Sequence, residues 1–130
     1  MYQEVEDGIR YGYSFLYRTK QIINEEELLF VTNMKESEMK LFSDLARFLH
    51  LGEASCIAIA EKRNWLFLTD DSDARNYALK FNVALSGTIG VLRDSVNADF
   101  ITLEEGEEYH QIMVEYGYRS PIKRLKDALK

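Results

Sequence analysis

Between Leu51 and Leu92 the chain reads LGEASCIAIAEKRNWLFLTDDSDARNYALKFNVALSGTIGVL, and this stretch restricts the available folds more than any other. Ala54, Ile57, Ala58, Ile59 and Ala60 make the segment from Glu53 to Lys62 a helix that is apolar on most faces and must lie buried against a sheet. Leu51-Gly52 is the break before it. Trp65-Leu66-Phe67-Leu68 is a continuous apolar run, as expected of an inner parallel strand covered on both faces. A helix over about Ser72 to Phe81, with Ala74, Tyr77 and Ala78 to pack, leads to a short strand at Val83-Ala84-Leu85-Ser86-Gly87. Strand, helix and strand in that order predict an α/β class with a short parallel sheet and a right-handed crossover.

The flanking segments fill out that frame. Val5, Ile9, Tyr13 and Leu16 recur at about one helical turn, with Gly8 and Gly12 as breaks, so the first 24 residues predict one or two helices. Leu28-Leu29-Phe30-Val31-Thr32 suits a strand, and Asn33 a turn after it. Ser37 is placed to cap a helix whose Leu41, Phe42, Leu45, Phe48 and Leu49 form a core stripe. Thr102 and Glu105 spell a capping box, with Glu104, Glu107 and Glu108 near the positive end of the same helix and Gly117 to end it. Ser120-Pro121 predicts a last helix running to Lys130.

At 130 residues the chain is expected to be one domain, able to bury roughly two-thirds of its unfolded surface. No run of about 18 apolar residues is present to span a bilayer, and the start lacks the layout of a signal peptide, so a cytoplasmic location is the expectation. The single Cys56, set among Ala54, Ile57, Ala58 and Ile59, reads as a buried inert thiol. His50 and His110 stand too far apart in sequence to suggest zinc. With a net charge of −6 the molecule does not attract nucleic-acid phosphate by bulk charge, so any such contact must be local or metal-mediated. The basic tail, with Arg119, Lys123, Arg124, Lys126 and Lys130, is read as a solvated face that can also meet phosphate or an acidic partner.

Asp70 and Asp71 follow a predicted parallel strand, at the end where open α/β sheets bind ligands. Glu53 opens the helix before that strand, and Glu4 can add a further acid. Carboxylates brought close repel one another unless a cation compensates, and Mg²⁺ or Mn²⁺ is the natural occupant. Such an ion can hold a phosphodiester and acidify an attacking water. The structural alternative is that Asp71 or Ser72 caps the following helix while Glu53 complements a helix dipole.

Gly52-Glu53-Ala54, Asp70-Asp71, Ala74-Arg75, Gly87-Thr88 and Val91-Leu92 occur in an order that resembles the core of PIN-like domains. QEVEDGI resembles the helix carrying that family's second acid, with Glu4 as its match, and MVEYGYRSPIKRLKDALK resembles the C-terminal helices of the same branch. The resemblance implies a three-layer α/β/α PIN-like fold spanning 1–130 and a divalent-metal-dependent ribonuclease of the VapC toxin type, restrained by an antitoxin partner. Carried over, it makes Glu4, Glu53 and Asp71 the metal ligands and Asp70 a further catalytic acid. Asp73, Thr69 and Thr88 are secondary candidates, the threonines orienting a ligand or water, or else serving as strand-end packing and a helix cap.

PIN domains begin with a strand ending in Asp, and no such strand precedes Glu4. The resemblance therefore implies a domain truncated at its N-terminus. Two explanations stay open: a start downstream of the true one, or a shortened member that repairs the gap by rearrangement or by pairing with another subunit. In the shortened case metal affinity and nuclease activity are expected to be weak or absent. A different class is a non-catalytic PIN-like protein that binds an antitoxin-like segment or a second copy of itself through surfaces bearing Tyr2, Tyr11, Tyr13 and Tyr17. A phosphoacceptor receiver, which Leu66 to Asp71 imitates, would need a longer run of strands than the chain beyond Asp71 provides.

Overall fold

A computed structural model of the chain describes residues 2–25 and 29–129. Helix α4, Leu51–Arg63, buries Ala54, Ile57, Ala58 and Ala60. It starts two residues before the expected Glu53, with His50 as its cap position and Leu51-Gly52 in its first turn rather than as a break. Asn64 ends it in the left-handed region at φ 54°, where asparagine is tolerated, and donates its N–H to the Ala60 carbonyl. Strand β1, Phe67–Leu68, then pairs in parallel with β2, Leu85–Ser86, in the register Phe67 to Leu85 and Leu68 to Ser86. Helix α5, Ser72–Lys80, makes the crossover. The protein is thus an α/β fold with a short parallel sheet.

The strands are shorter than the apolar runs that predict them. Phe67 is buried, but Leu68 is 55% exposed and Trp65 and Leu66 are exposed as well, so this is not an inner strand covered on both faces. The sheet has only two strands, and cover extends no further than the helices that pack on it. Trp65 instead meets the Arg63 guanidinium, 5.0 Å from its ring centre, a favourable cation–π arrangement. The core joins Leu45, Ala54, Ile57, Ala60, Phe67, Ala74, Ala78 and Val83. Alanines on the facing sides of α4 and α5 permit close approach, and Cys56 packs half-buried at the edge of this cluster.

The described residues form two compact units, Met1–Lys40 and Leu41–Lys130. In the first, α1 (Tyr2–Arg10) and α2 (Leu16–Asn24) are separated at Gly12, whose φ of 96° is readily adopted only by glycine. Gly8 lies inside α1 instead of breaking it, and a Cβ there would collide with Leu16. The Lys20 ammonium reaches Glu6 at 3.1 Å to tie the two helices. Of the expected strand at 28–32, Leu28 lies outside the described residues and Leu29 to Thr32 form no strand, with Phe30 80% exposed. An apolar run becomes a strand only where another offers ladder partners, and β1 and β2 pair with each other alone.

Helix α3 is Glu36–Leu45, so Ser37 lies inside it rather than capping it. Lys35 holds the cap position and donates its N–H to Glu38 at 2.6 Å. The helix also stops short of Leu49. In the second unit the turn after Leu45 leaves Phe48 stacked on the Tyr77 ring at 5.8 Å instead of in the core.

Helix α6, Thr88–Asn97, has no counterpart among the sequence expectations and buries Leu92. Helix α7, Leu103–Glu115, carries the predicted capping box, Glu105 N–H to Thr102 Oγ1 at 3.1 Å and Thr102 N–H to the Glu105 carboxylate at 2.8 Å. Gly117, at φ 101°, follows its end. The tail does not form the expected helix from Ser120 to Lys130: its one helical turn is a 3-10 segment, Leu125–Ala128. Ser120 donates to the Ile122 carbonyl at 2.8 Å, and the Glu107 carboxylate accepts the Leu125 and Lys126 N–H groups at 2.9 and 3.0 Å. These bonds hold the segment against α7 in a conformation that a continuous helix could not reach. Burial pushes the Glu107 carboxyl up, but those two N–H groups, with Arg124 and His110, outweigh it and hold it below the usual range. Among the described residues no helix is long and apolar enough to cross a membrane.

The tail is locked by Leu125, fully buried against Gly106, where a Cβ would sit 2.6 Å from Leu125 Cδ2. Leu125→Ala is expected to cost about 2–5 kcal/mol in urea unfolding, the range for a leucine removed from a packed site. A cost near zero would mean that the tail is not part of the folded unit.

Candidate functional site

The carboxyl ends of β1 and β2 bring together two turns, Thr69-Asp70-Asp71 and Gly87-Thr88. The Asp70 carboxylate accepts the Thr88 N–H at 2.9 Å and makes a short hydrogen bond with the Thr88 hydroxyl. Helix α6 has Gly87 at its cap position, with no side chain to offer. Asp70 supplies the missing acceptor from another strand, and its negative charge suits the positive end of the helix. A Cβ on Gly87 would strike Asp70 Oδ1 and stand 3.0 Å from the Thr69 carbonyl and 3.3 Å from Arg75 Nη1. Glycine is therefore what allows the two turns to close.

Asp71 caps α5 locally, accepting the Ala74 N–H at 2.8 Å, while its own N–H donates to Thr69 Oγ1 at 3.1 Å. Arg75, one turn further on, donates from Nη1 to the Thr69 carbonyl at 3.1 Å. Burial raises the Tyr118 hydroxyl above its usual value, and the Asp70 charge adds to this, against a side-chain hydrogen bond with Thr88 and the Arg75 charge. The phenol is consequently neutral across the physiological range.

Of the residues nominated from sequence, two pairs meet at the strand ends, Asp70 with Thr88 and Thr69 with Asp71. Glu53 stands half-buried in the first turn of α4, Asp73 exposed in the first turn of α5, and Glu4 exposed in the first turn of α1, in the other unit. Among the described residues no three His, Cys, Asp or Glu side chains are grouped to hold a metal ion. Asp70 is engaged by Thr88 and one Asp71 oxygen by Ala74, with a guanidinium alongside. In this arrangement Asp70 and Asp71 do not by themselves make up the set of several converging oxygen ligands that Mg²⁺ or Mn²⁺ needs. Of the expected metal set, Asp71 caps α5 and Glu53 stands in the first turn of α4, both in the second unit, and Glu4 belongs to the first unit.

Two cavities flank Asp70. One, of about 440 Å³, is lined by Asp70, Arg75, Arg93, Tyr118 and Arg119 together with small residues such as Gly87. The other, of about 400 Å³, is mostly apolar, with Leu68, Val91, Leu92 and Met113. Arg93 and Tyr118 carry no site signal in the sequence, Arg75 stands there only as part of a motif, and Arg119 belongs to a tail read as solvated. Arg75 has a local signal, four residues after the cap Asp71 and so one turn along α5. The other three have none, since α6 and the bend after α7 bring them in from distant positions.

The whole chain, residues 1–130, matches the family model described as PIN domain, and the protein belongs to the PIN-domain family. No curated protein and no solved structure gives a significant match. PIN domains generally use divalent metals, and the family suggests nuclease function.

If Asp70 caps α6, Asp70→Ala should destabilise the protein by about 1 kcal/mol in chemical unfolding, the usual worth of a cap. In Asp70→Asn, Tyr118 should ionise at lower pH than in the wild type, read as phenolate absorbance corrected with Tyr118→Phe. The sign follows from linkage: a phenol whose folded pKa is raised stabilises fully below the unfolded value of 10.0, and that contribution is lost as pH climbs through the folded value. An unchanged Tyr118 titration would remove Asp70 from its surroundings.

Proposed function

We propose that the chain is an RNA-directed PIN domain of the VapC toxin type in which hydrolysis is weak or lost. The observation carrying this reading is the engagement of Asp70 by Thr88 at the strand ends, beside Arg75. It leaves an acid at the strand ends, where open α/β sheets bind ligands, with both of its oxygens already accepting hydrogen bonds. Arginines around the cavity offer an RNA phosphate hydrogen bonds and charge despite the net charge of −6. A divalent ion, where one is recruited together with RNA, would draw on Glu4, Glu53 and Asp71 as its ligands, with Asp70 and Asp73 as further acids. A cytoplasmic setting belongs to the same reading.

A second reading, a non-catalytic interaction protein, is favoured by the first unit. Tyr11 is 84% and Phe15 70% exposed, with Tyr13 and Tyr17 also outward, an aromatic surface suited to an antitoxin-like helix or to a second copy in a homo-oligomer.

Single-turnover cleavage of a fluorescent single-stranded RNA, with Mg²⁺, Mn²⁺ or EDTA, tests the first reading alongside RNA binding by anisotropy. Expected are measurable binding and cleavage barely above the EDTA background, with Glu53→Gln changing little. Robust EDTA-sensitive cleavage abolished by Glu53→Gln would contradict the loss of hydrolysis. No RNA binding would leave the interaction reading in its place.

A further inference from the structure

The geometry points to the 440 Å³ cavity between α5, α6 and the bend after α7 as a binding site for a phosphomonoester, supplied either as a free nucleoside monophosphate or as the terminal phosphate of an RNA strand. For the RNA source this rests on the RNA-directed reading above; for the free nucleotide it does not. The volume falls within the range of small-molecule sites, about 300–1,000 Å³. What distinguishes it is charge. Arg75, Arg93 and Arg119 line one cavity with a single carboxylate, Asp70; Arg93 also pairs with Asp94, so the local excess is about one positive charge, in a chain of net charge −6.

The three guanidiniums are presented in different ways. Arg75 is oriented by its bond to the Thr69 carbonyl. Arg93 gives only Nε to its neighbour Asp94, at 2.8 Å. Arg119 makes no hydrogen bond or ion pair among the described residues. Arginine forks match phosphate oxygens in paired bonds, so ends not already engaged are what such a ligand requires. Asp70 does not close the site to anions, because its oxygens are taken by the Thr88 N–H and hydroxyl. Ser72 and Ser86 offer hydroxyls, and Tyr118 contributes a neutral phenol able to donate.

The number of terminal oxygens selects the ester. A monoester carries about −1.5 to −2 near neutral pH and three terminal oxygens. A diester carries one charge, shared over two oxygens, and has to leave the cavity on both sides. Three terminal oxygens give the arginine forks more acceptors than a diester's two, and a terminal group can enter without threading a strand through.

Isothermal titration of the full chain with adenosine 5′-monophosphate and with adenosine, and of 5′-phosphorylated and 5′-hydroxyl forms of one short RNA, tests this. Arg119→Gln and Arg93→Gln are run in parallel, their folding checked by circular dichroism and thermal melting. Adenosine 5′-monophosphate should bind where adenosine does not, with affinity falling roughly tenfold or more for each guanidinium removed, as for a hydrogen bond to a charged group. Preference for the 5′-phosphorylated RNA supports the site and identifies a strand end as the source. Nucleotide binding without any RNA binding supports the site with the free nucleotide as its ligand, and sinks the RNA-directed reading alone. Equal binding of phosphorylated and unphosphorylated ligands, or unchanged affinity in folded arginine variants, overturns the proposal.

Discussion

The carboxylate of Asp70, held by the backbone N–H and hydroxyl of Thr88, is the interaction on which the ligand-facing end of this protein depends. It joins the end of β1 to the start of α6, across a glycine that could not carry a side chain there. The parallel pair is only two residues long on each strand, too short to fix its own edges by ladder bonds. Side-chain bonds at the strand ends therefore do the fixing: Asp70 for α6, Asp71 for α5, and Arg75 for the Thr69 carbonyl between them. A substitution at Asp70 thus affects stability and ligand chemistry together.

A carboxylate serving as a helix cap is neutralised by donors that stay in place, and it has less to offer an incoming cation. Arg75, Arg93 and Arg119 line one cavity beside the strand ends, with Asp70 as the only carboxylate among its lining residues. Thr88 holds the Asp70 carboxylate at the strand ends, and the arginine-lined cavity lies beside it.

How far the sequence reveals this depends on whether the deciding contacts are local. The alanine-rich pattern of α4, the capping box of α7 and the capping role open to Asp71 are all readable, since each is settled within a few residues. Helix α6 is not. Thr88-Ile89-Gly90-Val91 is a poor helical start, rich in β-branched residues and glycine, and its acceptor comes from Asp70, eighteen positions upstream. The tail fails in the opposite direction: Ser120-Pro121 is a good local start signal, overridden by Glu107 binding the Leu125 and Lys126 amides and by Leu125 filling the space over Gly106. Spacing likewise shows where carboxylates can gather and not which donors reach them first, so the Asp70–Thr88 bond is not readable from it.

The central claim, that Asp70 is committed to Thr88 and not to a cation, is tested most directly by growing crystals in Mn²⁺ and collecting anomalous data above the manganese edge. The account predicts no manganese peak at the strand ends, with Asp70 still bonded to the Thr88 N–H and hydroxyl. A manganese ion ligated by Asp70 together with Asp71 or Glu53, and Thr88 released, would contradict it.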